Sequence, residues 1–154
     1  MKGKKEVIDR LNARLAEELA AISQYMVHAE MCEDWGYGKL HAMIEKRAID
    51  EMKHAEKLIA RILFLEGIPV VSKLSRINIG ADVETQLRKD LASERGAVEA
   101  YNDDINYAAK ALDNGTKELL DSILADEEKH IDEIETQLEQ IKQMGLQLYL
   151  AQSM

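Results

Sequence analysis

Asp50-Glu51-Met52-Lys53-His54 and Asp126-Glu127-Glu128-Lys129-His130 are two versions of one string, 76 positions apart (127 − 51 and 130 − 54). Both lie in long stretches of helical composition. A glutamate and a histidine three residues apart project from one face of an α-helix. The same offset carries Glu18 onto Glu94 and Tyr25 onto Tyr101. Each half of the chain thus places a helix bearing Glu and Tyr before a helix bearing Glu-x-x-His. The pattern predicts an internal repeat of two helical hairpins about a pseudo-two-fold axis, with four carboxylates and two imidazoles converging near it.

At 154 residues the chain reads as one domain, 1–154, large enough for its own core. Apolar residues make up 46 %, aromatics only 5 %, and there is one proline, which favours long helices over sheets. A net charge of −9 argues against nucleic acid as a partner and suits metal cations. Cys32 is the sole cysteine, which excludes an internal disulfide and any Cys-rich iron or zinc cluster. With no N-terminal apolar run and no membrane-length segment, the expectation is a soluble cytoplasmic protein.

Apolar residues at three- and four-residue intervals (Val7, Ile8, Leu11, Leu15, Leu19, Ile22, Met26) predict a first helix over 5–34. Gly36 and Gly38 bracket the turn that follows. Further helices are expected over about 39–66, 81–112 and 116–144, with stops at Gly67-Ile68-Pro69, Asp113-Asn114-Gly115 and Gly145. The tail from Leu146 to Met154 predicts a short fifth helix. Hairpins over about 5–66 and 81–144 are each closed by a short connection and are therefore antiparallel pairs. A helix of about 28 residues is about 42 Å long, and about 14 extended residues reach about 48 Å. The link between the halves can run the length of the bundle and return the third helix parallel to the second. The expected fold is all-α, a four-helix bundle with one long crossover, the ferritin-like arrangement.

Four mid-helix glutamates facing an apolar core are costly if ionised and unpaired. Two divalent cations supply the four positive charges that neutralise them, and mixed carboxylate and imidazole ligands suit iron or manganese. This is the established ligand pattern of ferritin-like di-metal bundles. The repeat makes Glu18 and Glu94 terminal ligands and Glu51 and Glu127 bridges, with His54 and His130 capping one metal each. A single Glu-x-x-His commonly sits on a solvated face; two copies at a constant offset, each with its upstream Glu and Tyr, argue for a ligand set. Tyr25 and Tyr101 lie two turns beyond Glu18 and Glu94, placed to hydrogen-bond a ligand carboxylate or to pack as ordinary half-buried tyrosines. His28 and His41 have no partners at ligand spacing; His28 aligns with Asp104 and reads as a surface residue. Cys32 and Trp35 read as packing residues at the end of the first helix.

The halves differ where a metal site does not require it. Met52 aligns with Glu128, Ile59 with Glu135, Leu63 with Glu139, Leu19 with Arg95, Met26 with Asn102 and Val27 with Asp103. Helices one and two thus carry an extra apolar stripe, and Met52 is turned about 100° from Glu51. Such a stripe predicts a two-fold dimer through these helices with Met52 near its axis. There the methionine either packs in the interface or, with its symmetry mate, ligates a flat metal macrocycle such as haem.

With these residues in view the chain resembles bacterioferritin over essentially its whole length. The likeness runs from Met1-Lys2-Gly3 through Glu18 and Tyr25 to Ile49–Ala55, Arg61–Gly67, Leu74–Ile79, Asp126–Glu128, His130–Asp132 and Met144–Gln147. The resemblance implies iron storage and detoxification in a cage of twenty-four subunits built from two-fold dimers. It implies a di-iron ferroxidase centre at Glu18, Glu51, His54, Glu94, Glu127 and His130, with Tyr25 nearby, oxidising Fe²⁺ with O₂ or H₂O₂ before mineralisation. It further implies a b-type haem or related porphyrin held by Met52, a tail helix lining cage pores, and a ferredoxin-like reductant for iron release. Some members add an inner-surface iron site from a histidine four residues before an aspartate. Here Asp50 is present but the earlier residue is Lys46, so the likeness does not extend to that site. Rival readings are a di-metal oxidase or peroxidase of the rubrerythrin type and a manganese catalase. A solvated structural or haem-binding bundle is the non-enzymatic alternative.

Overall fold

Apolar side chains at helical spacing give each long segment one buried stripe, and each stripe is interrupted by glutamate near its middle. The computed structural model describes residues 1–154 and contains five helices: α1 (Lys5–Asp34), α2 (Gly38–Phe64), α3 (Val83–Lys110), α4 (Asn114–Met144) and α5 (Leu146–Gln152). It is the all-α bundle with a short C-terminal helix expected from the periodicity. Asp82 and Asp113 cap α3 and α4 by accepting from the backbone N–H of Thr85 and Thr116 at 2.8 and 3.0 Å.

Two chain reversals differ from the glycine-based expectation. The left-handed positions after α2 and α3 are taken by Glu66 and Leu112, both at φ 61°. Gly67 is instead pressed against Ile8 and Ile62, where an added Cβ would meet side-chain carbon at 2.7 and 3.0 Å. Asn114 and Gly115 begin α4 rather than forming the turn. Gly115 lets the Arg61 guanidinium approach, and that group donates to Asp113 Oδ1 and Thr116 Oγ1 at 2.8 and 2.9 Å. Glycine does hold positive φ after α1 and after α4, Gly36 at 85° and Gly145 at 83°.

The crossover between α2 and α3 is laid along α1. Asn12 binds Ile68 O and Val70 N–H, Ala16 O accepts from Ser75 N–H, Gln24 Oε1 from Asn78 N–H and His28 Nε2 from Gly80 N–H. The partners on α1 climb from residue 12 to 28 as the crossover climbs from 68 to 80, so it travels the length of the bundle. It delivers α3 antiparallel to α1 and parallel to α2.

The core consists of two apolar clusters. One gathers Tyr25, Leu40, Ile44, Leu87, Ile134 and Tyr149. The other gathers Leu11, Leu15, Leu58, Ile62, Leu120 and Ile123. Between them lies a polar layer made from all four long helices.

Candidate metal centre

Glu18 comes from α1, Glu51 and His54 from α2, Glu94 from α3, and Glu127 and His130 from α4; none is more than 3 % exposed. Each sits on the buried stripe of its helix, where three-residue spacing turns Glu and His of one helix to the same side. Their ligand-capable atoms form two sets, Glu18–Glu51–His54–Glu127 and Glu51–Glu94–Glu127–His130, each within 4.8 Å. Glu51 and Glu127 belong to both. His54 Nδ1 lies 2.9 Å from Glu127 Oε1 and 3.7 Å from Glu18 Oε1. His130 Nδ1 lies 2.9 Å from Glu51 Oε1 and 3.3 Å from Glu94 Oε1. The imidazole centroids are 6.2 Å apart.

Each of these six residues leaves one buried atom without a hydrogen bond: Glu18 Oε2, Glu51 Oε1, His54 Nδ1, Glu94 Oε2, Glu127 Oε1 and His130 Nδ1. Buried polar atoms are rarely left so. Oxygen and imidazole nitrogen lone pairs facing one small space are a donor set that fits two divalent cations.

In the metal-free chain this crowding redistributes protons. Burial, and then the Glu18 charge, pushes the Glu51 carboxyl well above the usual range. Burial, then hydrogen bonding and charge from Glu94, does the same to Glu127. For Glu94 burial also acts upward, but the close approach of Glu127, His130 and Tyr25 and the His130 charge outweigh it and hold the carboxyl at about 2. Both imidazoles are raised: burial opposes their charge, and the surrounding carboxylates more than offset it.

The tyrosines act across the bundle. Tyr25 OH donates to Glu94 Oε1 and Tyr101 OH to Glu18 Oε1, not to the glutamate on the tyrosine's own helix. Both rings are fully buried. Spacing had also concealed two aspartates. Asp126 Oδ2 meets His54 Nε2 at 2.9 Å and Asp50 Oδ2 meets His130 Nε2 at 3.1 Å. Each fixes a ring so that Nδ1 faces inward. The signal available was that both strings open with Asp, but a residue one step from an inward Glu reads as solvated.

His28 is not a surface residue. It is fully buried, donates from Nδ1 to Asp90 at 2.9 Å and accepts the Gly80 N–H. Asp90 also receives Gln24 and Arg47 at 2.8 and 3.4 Å, a buried network that ties the crossover to α1, α2 and α3. His41 does have neighbours, Glu45 one turn on at 3.3 Å and Glu30 at 3.9 Å, in an open surface cluster. Cys32 is buried near Gln86, whereas Trp35 is 37 % exposed.

A cavity of about 260 Å³ leads inward between α1, α3 and the crossover, from Ser75 and Arg76 past Glu17 and Ser93 to Glu18 and Glu94. On the opposite side of α2, Met52 is 44 % exposed in a groove of about 380 Å³ that it lines with Ile22, Met26 and Ile49. Val27, Leu63 and Phe64 are also exposed on α1 and α2. No helix is long and apolar enough to cross a membrane.

Residues 8–144 match the ferritin family, described as a ferritin-like domain. Over 147 residues the chain is 44 % identical to a bacterioferritin of Rhodobacter capsulatus, covering 96 % of this chain and 91 % of that one. A bacterioferritin of Brucella melitensis is 42 % identical over 149 residues, 97 % and 92 % of the two chains. One of Mycolicibacterium paratuberculosis is 40 % identical over 152 residues, 99 % and 96 %.

Proposed function

Since the chain belongs to the ferritin-like family and, within it, to the bacterioferritins, we propose that it stores iron, oxidising Fe²⁺ with O₂ or H₂O₂ at a paired-metal centre and mineralising the product inside a cytoplasmic cage of twenty-four subunits. The observation that carries this is the set of six orphaned atoms, one from each of Glu18, Glu51, His54, Glu94, Glu127 and His130, in two groups sharing Glu51 and Glu127. In this reading Glu18 with His54 and Glu94 with His130 would each hold one iron, and Glu51 and Glu127, common to both groups, would serve both. Bound iron supplies the electrons that reduce the oxidant.

The protein's part is preparation. Tyr101 and Tyr25 fix Glu18 and Glu94, and Asp126 and Asp50 fix the two imidazoles. Burial pushes the Glu51 and Glu127 carboxyls well above the usual range in the metal-free chain, so binding cations there competes with binding protons. The cavity beside Ser75 and Arg76 gives Fe²⁺ and oxidant a route to the centre.

The apolar face of α1 and α2 serves as a two-fold dimer contact, the unit from which the homo-oligomer is built. Its apolar groove would take a b-type haem or related porphyrin, to which Met52 would offer its thioether. A ferredoxin-like reductant returns the iron as Fe²⁺. The inner-surface iron site is not part of the proposal, because the Lys46 ammonium lies 3.5 Å from Asp50 in place of an imidazole ligand.

The test is iron retained per subunit after excess Fe²⁺ is oxidised in air, measured on size-fractionated protein. Retention far above the two metals of such a centre, in a large particle, is expected. Retention near two, in a dimer, refutes storage. Glu18→Ala should abolish the fast oxidation phase with the particle intact, and an unchanged fast phase would sink the assignment of the centre.

A further inference from the structure

The two metal positions are related by the repeat, yet the carboxylates that hold their two imidazoles differ in what else they meet. His54 Nε2 is held by Asp126 at 2.9 Å, and Asp126 forms no ion pair with lysine or arginine. His130 Nε2 is held by Asp50 at 3.1 Å, and the oxygen it uses, Oδ2, also faces the Lys46 ammonium at 3.5 Å. Lys46 precedes Asp50 by one helical turn. The residue one turn before Asp126 is Ser122, whose hydroxyl donates to Leu119 O at 2.7 Å instead.

We propose that the two positions bind divalent cations unequally, the His54 position more tightly than the His130 position, and that Lys46 sets the difference. The inference rests on the di-metal reading above and concerns the order in which its two halves fill.

A carboxylate that accepts the outer N–H of an imidazole raises the basicity of the inner nitrogen and so its strength as a ligand. Lys46 draws on the same Asp50 oxygen and weakens that support. It also adds a positive charge to the half that must accept a cation. Both effects act against the His130 position. The longer of the two imidazole–carboxylate contacts is the one Lys46 shares. Solvent acts the other way, since the Asp126 side chain is 52 % exposed against 26 % for Asp50. That difference screens Asp126 but places no opposing charge on it, so the ammonium decides the sign. Lys46 is itself 64 % exposed, and an ion pair of that kind shifts an equilibrium by about two- to fivefold. Lys46 is thus a positioning residue, acting on His130 through Asp50.

The experiment loads metal-free protein with Co²⁺ at half an equivalent per subunit and measures site-resolved occupancy by anomalous diffraction. The expected occupancy at the His54 position is about two to five times that at the His130 position. Lys46→Gln should bring the ratio towards one, and Ser122→Lys, which plants an ammonium one turn before Asp126, should lower it from the other side. Equal occupancy in the wild-type protein, or a ratio that Lys46→Gln leaves unmoved, overturns the proposal. Cobalt at neither position overturns the di-metal reading itself, an outcome distinct from equal filling.

Discussion

Replacing Glu51 by glutamine should make the protein more stable without metal and less stable with it. In the metal-free chain Glu51 is buried beside Glu18, with its carboxyl pushed well above the usual range and one oxygen without a partner. An amide of nearly the same shape has no charged form to bury, and its N–H can donate to the orphaned Glu18 Oε2. Relief of an unsatisfied buried group is worth about 1–3 kcal/mol. For a domain of this size that raises Tm by about 2–4 °C per kcal/mol. Metal reverses the order. A ligand at a hundredfold excess over Kd stabilises by about 2.7 kcal/mol per site, and Glu51 belongs to both sets, so the variant loses that gain at both positions. The assay is thermal unfolding of the two proteins at equal concentration, once with chelator and once with excess Mn²⁺. If Glu51→Gln melts below the wild type in chelator, or if Mn²⁺ raises both alike, the reasoning fails. The pH dependence has a defined sign. A carboxyl raised in the folded state contributes stability that is complete below its unfolded pKa and lost as pH rises through the folded value. The advantage of the variant in chelator should therefore shrink as pH is lowered from about 8 towards about 5.

Tyr101→Phe should weaken metal binding at the Glu18–His54 position by about tenfold and spare the Glu94–His130 position, with Tyr25→Phe doing the reverse; site-resolved metal occupancy reads both. Gly80→Ala places a Cβ 2.5 Å from Gln86 N, which should loosen the crossover and destabilise by about 1–3 kcal/mol, seen as a lower denaturation midpoint. Met52→Leu should abolish the haem absorption band after reconstitution with haemin while fast Fe²⁺ oxidation stays unchanged. Retention of the band would move the haem elsewhere.

The bundle was legible because its determinants are local. Apolar spacing, two Glu-x-x-His strings and a crossover of calculable reach all lie within short windows. What escaped was set by partners distant in sequence. His28 reads as a surface residue until Asp90, 62 residues away, brings it into the interior, where Arg47 meets the same carboxylate. The aspartates on the outer imidazole nitrogens escaped because each serves the histidine of the other half, 80 and 72 residues away. Glu66 and Leu112 hold left-handed positions that composition assigns to the neighbouring glycines, because those glycines are needed for close packing instead.

The tyrosines and aspartates share one consequence. Tyr101, in the second hairpin, steadies Glu18 of the first, and Tyr25 steadies Glu94 in return; Asp126 and Asp50 are traded the same way. Neither hairpin owns a finished half of the centre, so a severed copy of residues 5–66 would carry three ligands with every one of their props missing. Reciprocal exchange of this kind is the signature of an isologous pair, in which each member completes the other. Two identical hairpins docked about a true two-fold would reproduce every such trade.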